Sequence, residues 1–134
     1  MKEIKQVKIL VRYKDRYLLL KKVKDIHSDH VGGWEVPGGK IKNNEDPKEA
    51  SIREVKEETK LNCKLIKELK PLQLEKDGIR TSTCVYLAEA ENDKVTISDE
   101  HSDYKWVSYE DIDNLKKVIY EDLLKQYIKD AEMV

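Results

Sequence analysis

Residues 46–60 read D-P-K-E-A-S-I-R-E-V-K-E-E-T-K, and no other stretch of the chain carries so strong a local signal. Asp46 suits an N-cap, Pro47 suits the first helical position, and Glu49, three residues beyond Asp46, completes an Asp version of the capping box. The pattern predicts a helix from Pro47 that ends near Lys60 or Asn62, since Asn tolerates the left-handed conformation that closes many helices. On a wheel of about 3.6 residues per turn, three stripes separate. Ile52, Val55 and Thr59 form one that can pack on a sheet. Glu49, Arg53, Lys56 and Lys60 form a solvent side of mixed sign. Glu54, Glu57 and Glu58 form the third, with small Ala50 one turn earlier leaving room beside the carboxylates. The Glu54/Glu58 pair alone costs about 0.2–0.5 kcal/mol in repulsion, and a hard divalent cation, Mg²⁺ or Mn²⁺, offsets such a cost through oxygen ligands. Taken alone, an E-x-x-E-E cluster in so charged a chain is more often an exposed acidic face.

Outward from this helix, the chain alternates strand and helix signals. Ile4 to Tyr13 places Val7, Ile9 and Val11 on one side and Lys8 and Arg12 on the other. Lys14-Asp15-Arg16 then leads into Tyr17-Leu18-Leu19-Leu20, which together read as a hairpin. Residues 25 to 33, with Asp25, His27, Asp29, His30, Gly32 and Gly33, read as a loop. Beyond the helix, Cys63 to Leu74 and Ile79 to Ala90 flank Lys76-Asp77-Gly78, and the Asp-Gly pair signals a second hairpin. Shorter strands are expected over Val95 to Ile97 and Tyr104 to Val107. From Tyr109 to about Lys129, the spacing of Ile112, Leu115, Ile119, Leu123, Leu124, Tyr127 and Ile128 suits one or two amphipathic helices. With no repeat or linker in view, the 134 residues are read as one α+β domain, 1–134, a sandwich around a single core.

Charge and cysteine usage bound the function further. Twenty-six Lys and Arg against 27 Asp and Glu leave a formal charge of -1, which offers no track for a long polyanion such as nucleic acid. Residues 2 to 24 nonetheless carry nine Lys/Arg against two acids. That polarity suits a phosphorylated ligand near the amino-terminal strands, and equally suits solvated strand faces. Cys63 and Cys84 have no C-x-x-C spacing and read as buried thiols of a reducing compartment, with the cytoplasm the simplest location. No apolar run approaches a membrane span and no signal peptide is evident at the start.

Upstream, Gly38-Gly39 form a flexible turn, and the segment from Gly39 through Glu45, then Arg53-Glu54-Val55-Lys56-Glu57-Glu58-Thr59-Lys60-Leu61, resembles the Nudix box, G-x5-E-x7-R-E-U-x-E-E-x-G-U with U aliphatic. The box covers 23 residues, Gly39 to Leu61, and every defined position matches except that Lys60 stands at the final glycine. A Lys in a left-handed conformation there costs on the order of 1 kcal/mol. Trp34-Glu35-Val36-Pro37-Gly38 also looks like the family's usual approach to the box.

The resemblance implies a Nudix-type α/β/α sandwich with a mixed curved sheet, and a divalent-metal-dependent hydrolase that cleaves a diphosphate linkage of a nucleotide. It implies Glu54, Glu57 and Glu58 as Mg²⁺ or Mn²⁺ ligands, with the Gly38 carbonyl as a further candidate. Arg53 would orient Glu57, and Glu45 would tie the loop to the helix. Asp99-Glu100-His101 before Trp106-Val107 looks like a later loop and strand of many Nudix hydrolases, so Glu100 is expected as an added ligand or general base, against the reading of a plain loop acid, and His101 is the next candidate. His27 and His30 read as polar loop residues. Trp34 reads as a packing residue rather than a platform for a base.

The compact length favours a MutT-like enzyme that converts a nucleoside triphosphate to the monophosphate and pyrophosphate, acting as a monomer or homodimer on a small nucleotide. Alternatives are a noncatalytic nucleotide sensor, an ADP-ribose, dinucleoside polyphosphate or capped-RNA hydrolase, and an isopentenyl diphosphate isomerase. The sensor would have lost box carboxylates, which are all present here. Pro71 lies nearer the box than the proline of ADP-ribose enzymes, Asp77 lies near the place of the dinucleoside-polyphosphate tyrosine, and no catalytic Cys context supports the isomerase.

Overall fold

Two tight turns with positive φ set up the strands of this chain. Lys14 and Asp15 (φ 48° and 64°) join β1 (Lys2–Tyr13) to β2 (Arg16–Lys22), and Asp77 and Gly78 (φ 53° and 75°) join two long strands, Cys63–Lys76 and Ile79–Ala90. Positive φ at both central residues matches the twist of a two-residue hairpin. The computed structural model describes residues 1–23 and 30–133. Asp25, His27 and Asp29 of the expected loop lie outside the described residues.

In chain order the remaining elements are β3 (Trp34–Glu35), β4 (Gly38–Lys40), α1 (Pro47–Thr59), β5 (Cys63–Lys76), β6 (Ile79–Ala90), β7 (His101–Val107), a 3-10 turn (Glu110–Asn114) and α2 (Glu121–Glu132). The sheet is mixed. β1 and β6 run parallel in register from Lys2↔Ile79 to Arg12↔Glu89, whereas the other pairings between these strands are antiparallel. With β6 along one edge of β1, the other edge is shared: β2 takes only Arg12 and Tyr13, and β4 takes Gln6 to Lys8. β2 diverges in the same way, with β7 along one side and β3 at Leu20 and Lys21 on the other. The segment Trp34 to Lys40 therefore wedges between two strands that separate after their hairpin.

Alternation along the strands builds two cores, one on each face of the sheet. Val7, Ile9 and Val11 of β1, with Leu18 and Leu20 of β2, pack against Ala50, Val55 and Leu61 around α1. Leu10, Tyr17 and Leu19 face the other way, toward Leu124, Tyr127 and Ile128 of α2. The apolar run Tyr17 to Leu20 is thus buried on both faces, and the architecture is the expected α+β sandwich with a helix on each side of a mixed sheet.

Three expectations change. Ile52 is 45% exposed, because the seam that meets the sheet is Ala50, Ser51, Val55, Glu58 and Thr59, centred about a quarter turn away. Small Ala50 and Ser51 let the helix approach closely, and the buried hydroxyls are satisfied by the preceding turn: Ser51 Oγ donates to the Pro47 carbonyl at 2.8 Å and Thr59 Oγ1 to that of Val55 at 2.6 Å. Val95 to Ile97 is not a strand. Val95 and Ile97 cover the α1-side core, and the Thr96 N–H donates to the Thr59 carbonyl at 3.0 Å, closing an open helix end instead of a ladder. Finally, Cys63 and Cys84 are free thiols as expected but only half-buried.

Candidate active site

The first turn of α1 forms as its sequence dictates. Asp46 accepts the Lys48 N–H at 2.7 Å, and Glu49 accepts the Asp46 N–H at 3.2 Å, the reciprocal pair of a capping box. At the other end Lys60 adopts the left-handed conformation (φ 65°, ψ 7°), and its N–H donates to the Lys56 carbonyl. The residue at the box's glycine position has the backbone geometry a glycine favours, so the departure lies in strain at the helix end and leaves the carboxylates in place.

Arg53 is not on the solvent side. Its guanidinium is the hub of the box, with Nε to Glu45 Oε2 at 2.7 Å, Nη2 to Glu45 Oε1 at 2.9 Å and to the Lys40 carbonyl at 3.1 Å, and Nη1 to Glu54 Oε1 at 2.8 Å and Glu57 Oε2 at 3.3 Å. The bidentate grip on Glu45 fastens the loop to the helix. Arg53, with the Lys42 N–H, holds the Glu45 carboxyl down at about 2. Arg53 sits closer to Glu54 than to Glu57, the residue it was expected to orient.

In β4, side chains at the two glycines would meet the carboxylates or the neighbouring strand. A Cβ on Gly39 would lie 2.5 Å from Glu54 Cδ, and one on Gly38 would collide with the Val7 carbonyl. The two glycines let the β4 backbone pass directly beneath the carboxylates. The Gly38 N–H donates to Glu58 Oε1 at 3.0 Å.

Electrostatics grade the carboxylates. Burial pushes the Glu58 carboxyl up to about 8, against the Gly38 N–H bond and reinforced by Glu54, Glu35 and Glu100. Burial also raises Glu54, with Glu57 and Glu100 adding to it and Arg53 opposing. Glu57 is exposed and, among the described residues, pairs with Arg53. A carboxylate oxygen each of Glu58 and Glu100 and a ring nitrogen of His101 all lie within 4.8 Å of one another. Glu100, in the turn before β7, therefore stands beside the helix carboxylates although it is solvent-exposed. Glu54 and Glu58, raised by burial first and by neighbouring carboxylates second, stand over a tightly packed glycine backbone, a donor set that fits a hard divalent cation.

Beside this cluster, a cavity of about 470 Å³ opens between the β1/β6/β5 face and α2. Its wall includes apolar Leu72, Leu124 and Tyr127, with Lys8, Lys22 and Lys40 among the charged groups. Two of these lysines, Lys8 and Lys22, come from the basic amino-terminal segment. His30 and Tyr120 also line the cavity, with their rings edge-on at 5.7 Å between centroids. Trp34 is buried in the α2-side core, with the Lys21 and Lys105 amines over its ring, so it packs as expected.

Sequence reasoning passed over Glu35. It lines the cavity, pairs with Lys22 Nζ at 3.1 Å, and meets His101 Nε2 at 3.1 Å. Burial alone would raise its carboxyl, but His101, Lys22 and Lys8 outweigh that and hold it below its ordinary value. The signal was available in W-E-V-P-G-G, where an acid stands between a core tryptophan and the glycine turn.

Fold and sequence define a NUDIX-domain protein. The family model described as NUDIX domain matches residues 4–127, and the chain belongs to that family. Among solved structures, the MutT protein from Methanosarcina mazei Go1 is similar over 98% of this chain and 97% of its own, with 27% identity and a TM-score of 0.81. A C. elegans Ap4A hydrolase is similar in fold over 96% and 94%, with 24% identity and a TM-score of 0.75. A curated relative, 8-oxo-dGTP diphosphatase of Proteus vulgaris, is 57% identical over 30 residues, a match that spans 22% of this chain and 27% of that protein. Among the described residues no helix is long and apolar enough to cross a membrane.

Proposed function

We propose that this chain is a divalent-metal-dependent pyrophosphohydrolase that cleaves a nucleoside triphosphate to the monophosphate and pyrophosphate by attack of water at phosphorus. The observation that carries the reading is the complete acidic set of the box, linked through His101 and Glu35 to a cavity that Glu35 lines and whose wall combines apolar surface with lysines. Mg²⁺ or Mn²⁺ would be held by Glu54, Glu57, Glu58 and Glu100 with the Gly38 carbonyl. When bound, such a cation neutralises phosphoryl oxygens and lowers the pKa of the attacking water.

The chain's own residues supply position and proton transfer. Arg53 keeps Glu54 and Glu57 side by side, and the Gly38 N–H fixes one oxygen of Glu58. Lys8, Lys22 and Lys40 bring positive charge to an anionic phosphate chain, while the apolar wall and Tyr120 accept a base. Glu100, the acid open to solvent, takes the proton of the nucleophile. No covalent intermediate is required. The reading takes residues 1–134 as one Nudix domain, working in the cytoplasm as a monomer or homodimer on a small molecule.

Relatives support the reading without fixing the substrate. The Proteus vulgaris protein is named for a purine nucleoside triphosphate, and the C. elegans structure for a dinucleoside polyphosphate. The test is a panel of nucleoside triphosphates and diphosphate-linked nucleotides with Mg²⁺ or Mn²⁺, with products identified. Metal-dependent release of pyrophosphate from at least one triphosphate is expected. Turnover of diphosphate-linked nucleotides alone would replace the substrate assignment, and turnover of none would overturn the activity.

A further inference from the structure

His101 is the one residue of the acidic cluster whose chemistry the carboxylates do not account for. It is 5% exposed, its Nε2 lies 3.1 Å from Glu35 Oε2, and its Nδ1 is buried with no hydrogen-bond partner among the described residues. A buried polar atom left without a partner is costly, so its neighbours matter. One ring nitrogen of His101 lies within 4.8 Å of carboxylate oxygens of Glu58 and Glu100, and Nε2 is already engaged by Glu35.

How the ring comes to lie there is a matter of register. β2 and β7 pair regularly from Tyr17↔Val107 to Lys21↔Asp103, and the register then slips so that Lys22 faces His101 instead of Ser102. Bulges of this kind re-aim side chains beside functional sites. Glu35, delivered by the Leu20↔Glu35 pairing and held by Lys22, then engages the ring from its other side.

We propose that His101 Nδ1 is a nitrogen ligand of the cation held by Glu58 and Glu100, with Glu35 accepting a hydrogen bond from Nε2–H and so fixing the tautomer. This rests on the reading that those carboxylates hold a divalent cation. An ionised carboxylate on one ring nitrogen leaves the lone pair on the other, the arrangement by which protein carboxylates orient metal-binding histidines. Imidazole suits transition metals, whereas Mg²⁺ prefers oxygen, so the site favours Mn²⁺ more than a purely carboxylate set would.

Pulsed EPR on the full chain loaded with MnCl₂ alone tests this. The wild-type spectrum is expected to show ¹⁴N coupling of a directly bound imidazole. His101→Gln is expected to lose it, with Mn²⁺ binding weakened about tenfold or more and Mg²⁺ binding changed by less than roughly threefold. Glu35→Gln is expected to keep the coupling with weaker Mn²⁺ binding. Mn²⁺ that binds the wild type and is lost in Glu58→Gln, yet shows no nitrogen coupling, overturns the role of His101 while leaving the carboxylate site standing. Coupling that survives His101→Gln overturns it as well. Failure of Mn²⁺ to bind the wild type at all removes both readings. The wild-type spectrum decides the point even if a variant does not fold.

Discussion

Replacing Glu58 by Gln tests the electrostatic core of this site in the absence of metal. Glu58 is 5% exposed and its carboxyl is pushed up to about 8 from an ordinary 4.5. A folded-state pKa raised above the unfolded value stabilises fully below the unfolded pKa and is lost as pH rises through the folded one. The wild type in EDTA should therefore lose stability between about pH 4.5 and a little above pH 8. At about 1.4 kcal/mol per pKa unit, the full effect is about 5 kcal/mol. Relaxation and water entry reduce this to an expected loss of about 2–4 kcal/mol. Gln keeps an acceptor for the Gly38 N–H, now 3.0 Å from Glu58 Oε1, so the variant should lack the pH dependence without losing that bond. Urea unfolding in EDTA, followed by the fluorescence of Trp34 and Trp106, measures it at pH 5, 7 and 9. The gap between the two proteins should widen with pH in favour of the variant. Saturating Mn²⁺, at about 100 times its Kd, should return about 2.7 kcal/mol to the wild type and much less to the variant. A difference that stays constant within about 0.5 kcal/mol from pH 5 to 9 would refute the reasoning.

Three further substitutions separate stability from activity. Glu57→Gln removes an exposed acid whose ion pair among the described residues is with Arg53, so unfolding should change by less than about 0.5 kcal/mol while turnover is lost; unchanged turnover at saturating Mg²⁺ would falsify its role as a ligand. Lys60→Gly relieves a left-handed lysine and should raise stability by roughly 0.5–1 kcal/mol with unchanged steady-state rates, and a collapse of activity would mean that the helix end shapes the site. In Gly39→Ala, the new Cβ at 2.5 Å from Glu54 Cδ must displace that carboxylate, so circular dichroism should report an intact fold while metal affinity measured by calorimetry falls about tenfold or more. Wild-type metal affinity would show that Glu54 moves freely or does not bind.

Much of this could be read from the chain because the decisive interactions are local. The capping box, the acidic stripe and the two hairpin turns each rest on residues within a few positions of one another. The strand containing Val7 was visible through alternation, and that containing Leu18 as an apolar run after a polar turn. What stayed hidden depends on pairings far apart in sequence. Ile52 was assigned inward from hydrophobicity, but the approach of α1 to β1 is set by Ala50 and Ser51, and the helix turns its apolar isoleucine outward. Val95 and Ile97 have strand chemistry, yet their backbone was needed by the end of α1. The wedge of Trp34 to Lys40 between diverging strands, and the bulge that brings His101 to Glu35, follow from sheet register that no local pattern encodes. Glu35 and Lys22 accordingly joined the site only once those strands were in place.

The central claim is that the carboxylates of α1 and Glu100 together support attack of water at phosphorus with a divalent cation. Hydrolysis of the preferred triphosphate in H₂¹⁸O, followed by ³¹P NMR with and without Mg²⁺, tests it most directly. The account expects one ¹⁸O atom in a single phosphorus-containing product, formed only with metal and abolished by Glu57→Gln. Turnover of equal rate in EDTA, or undiminished in Glu57→Gln, would contradict it.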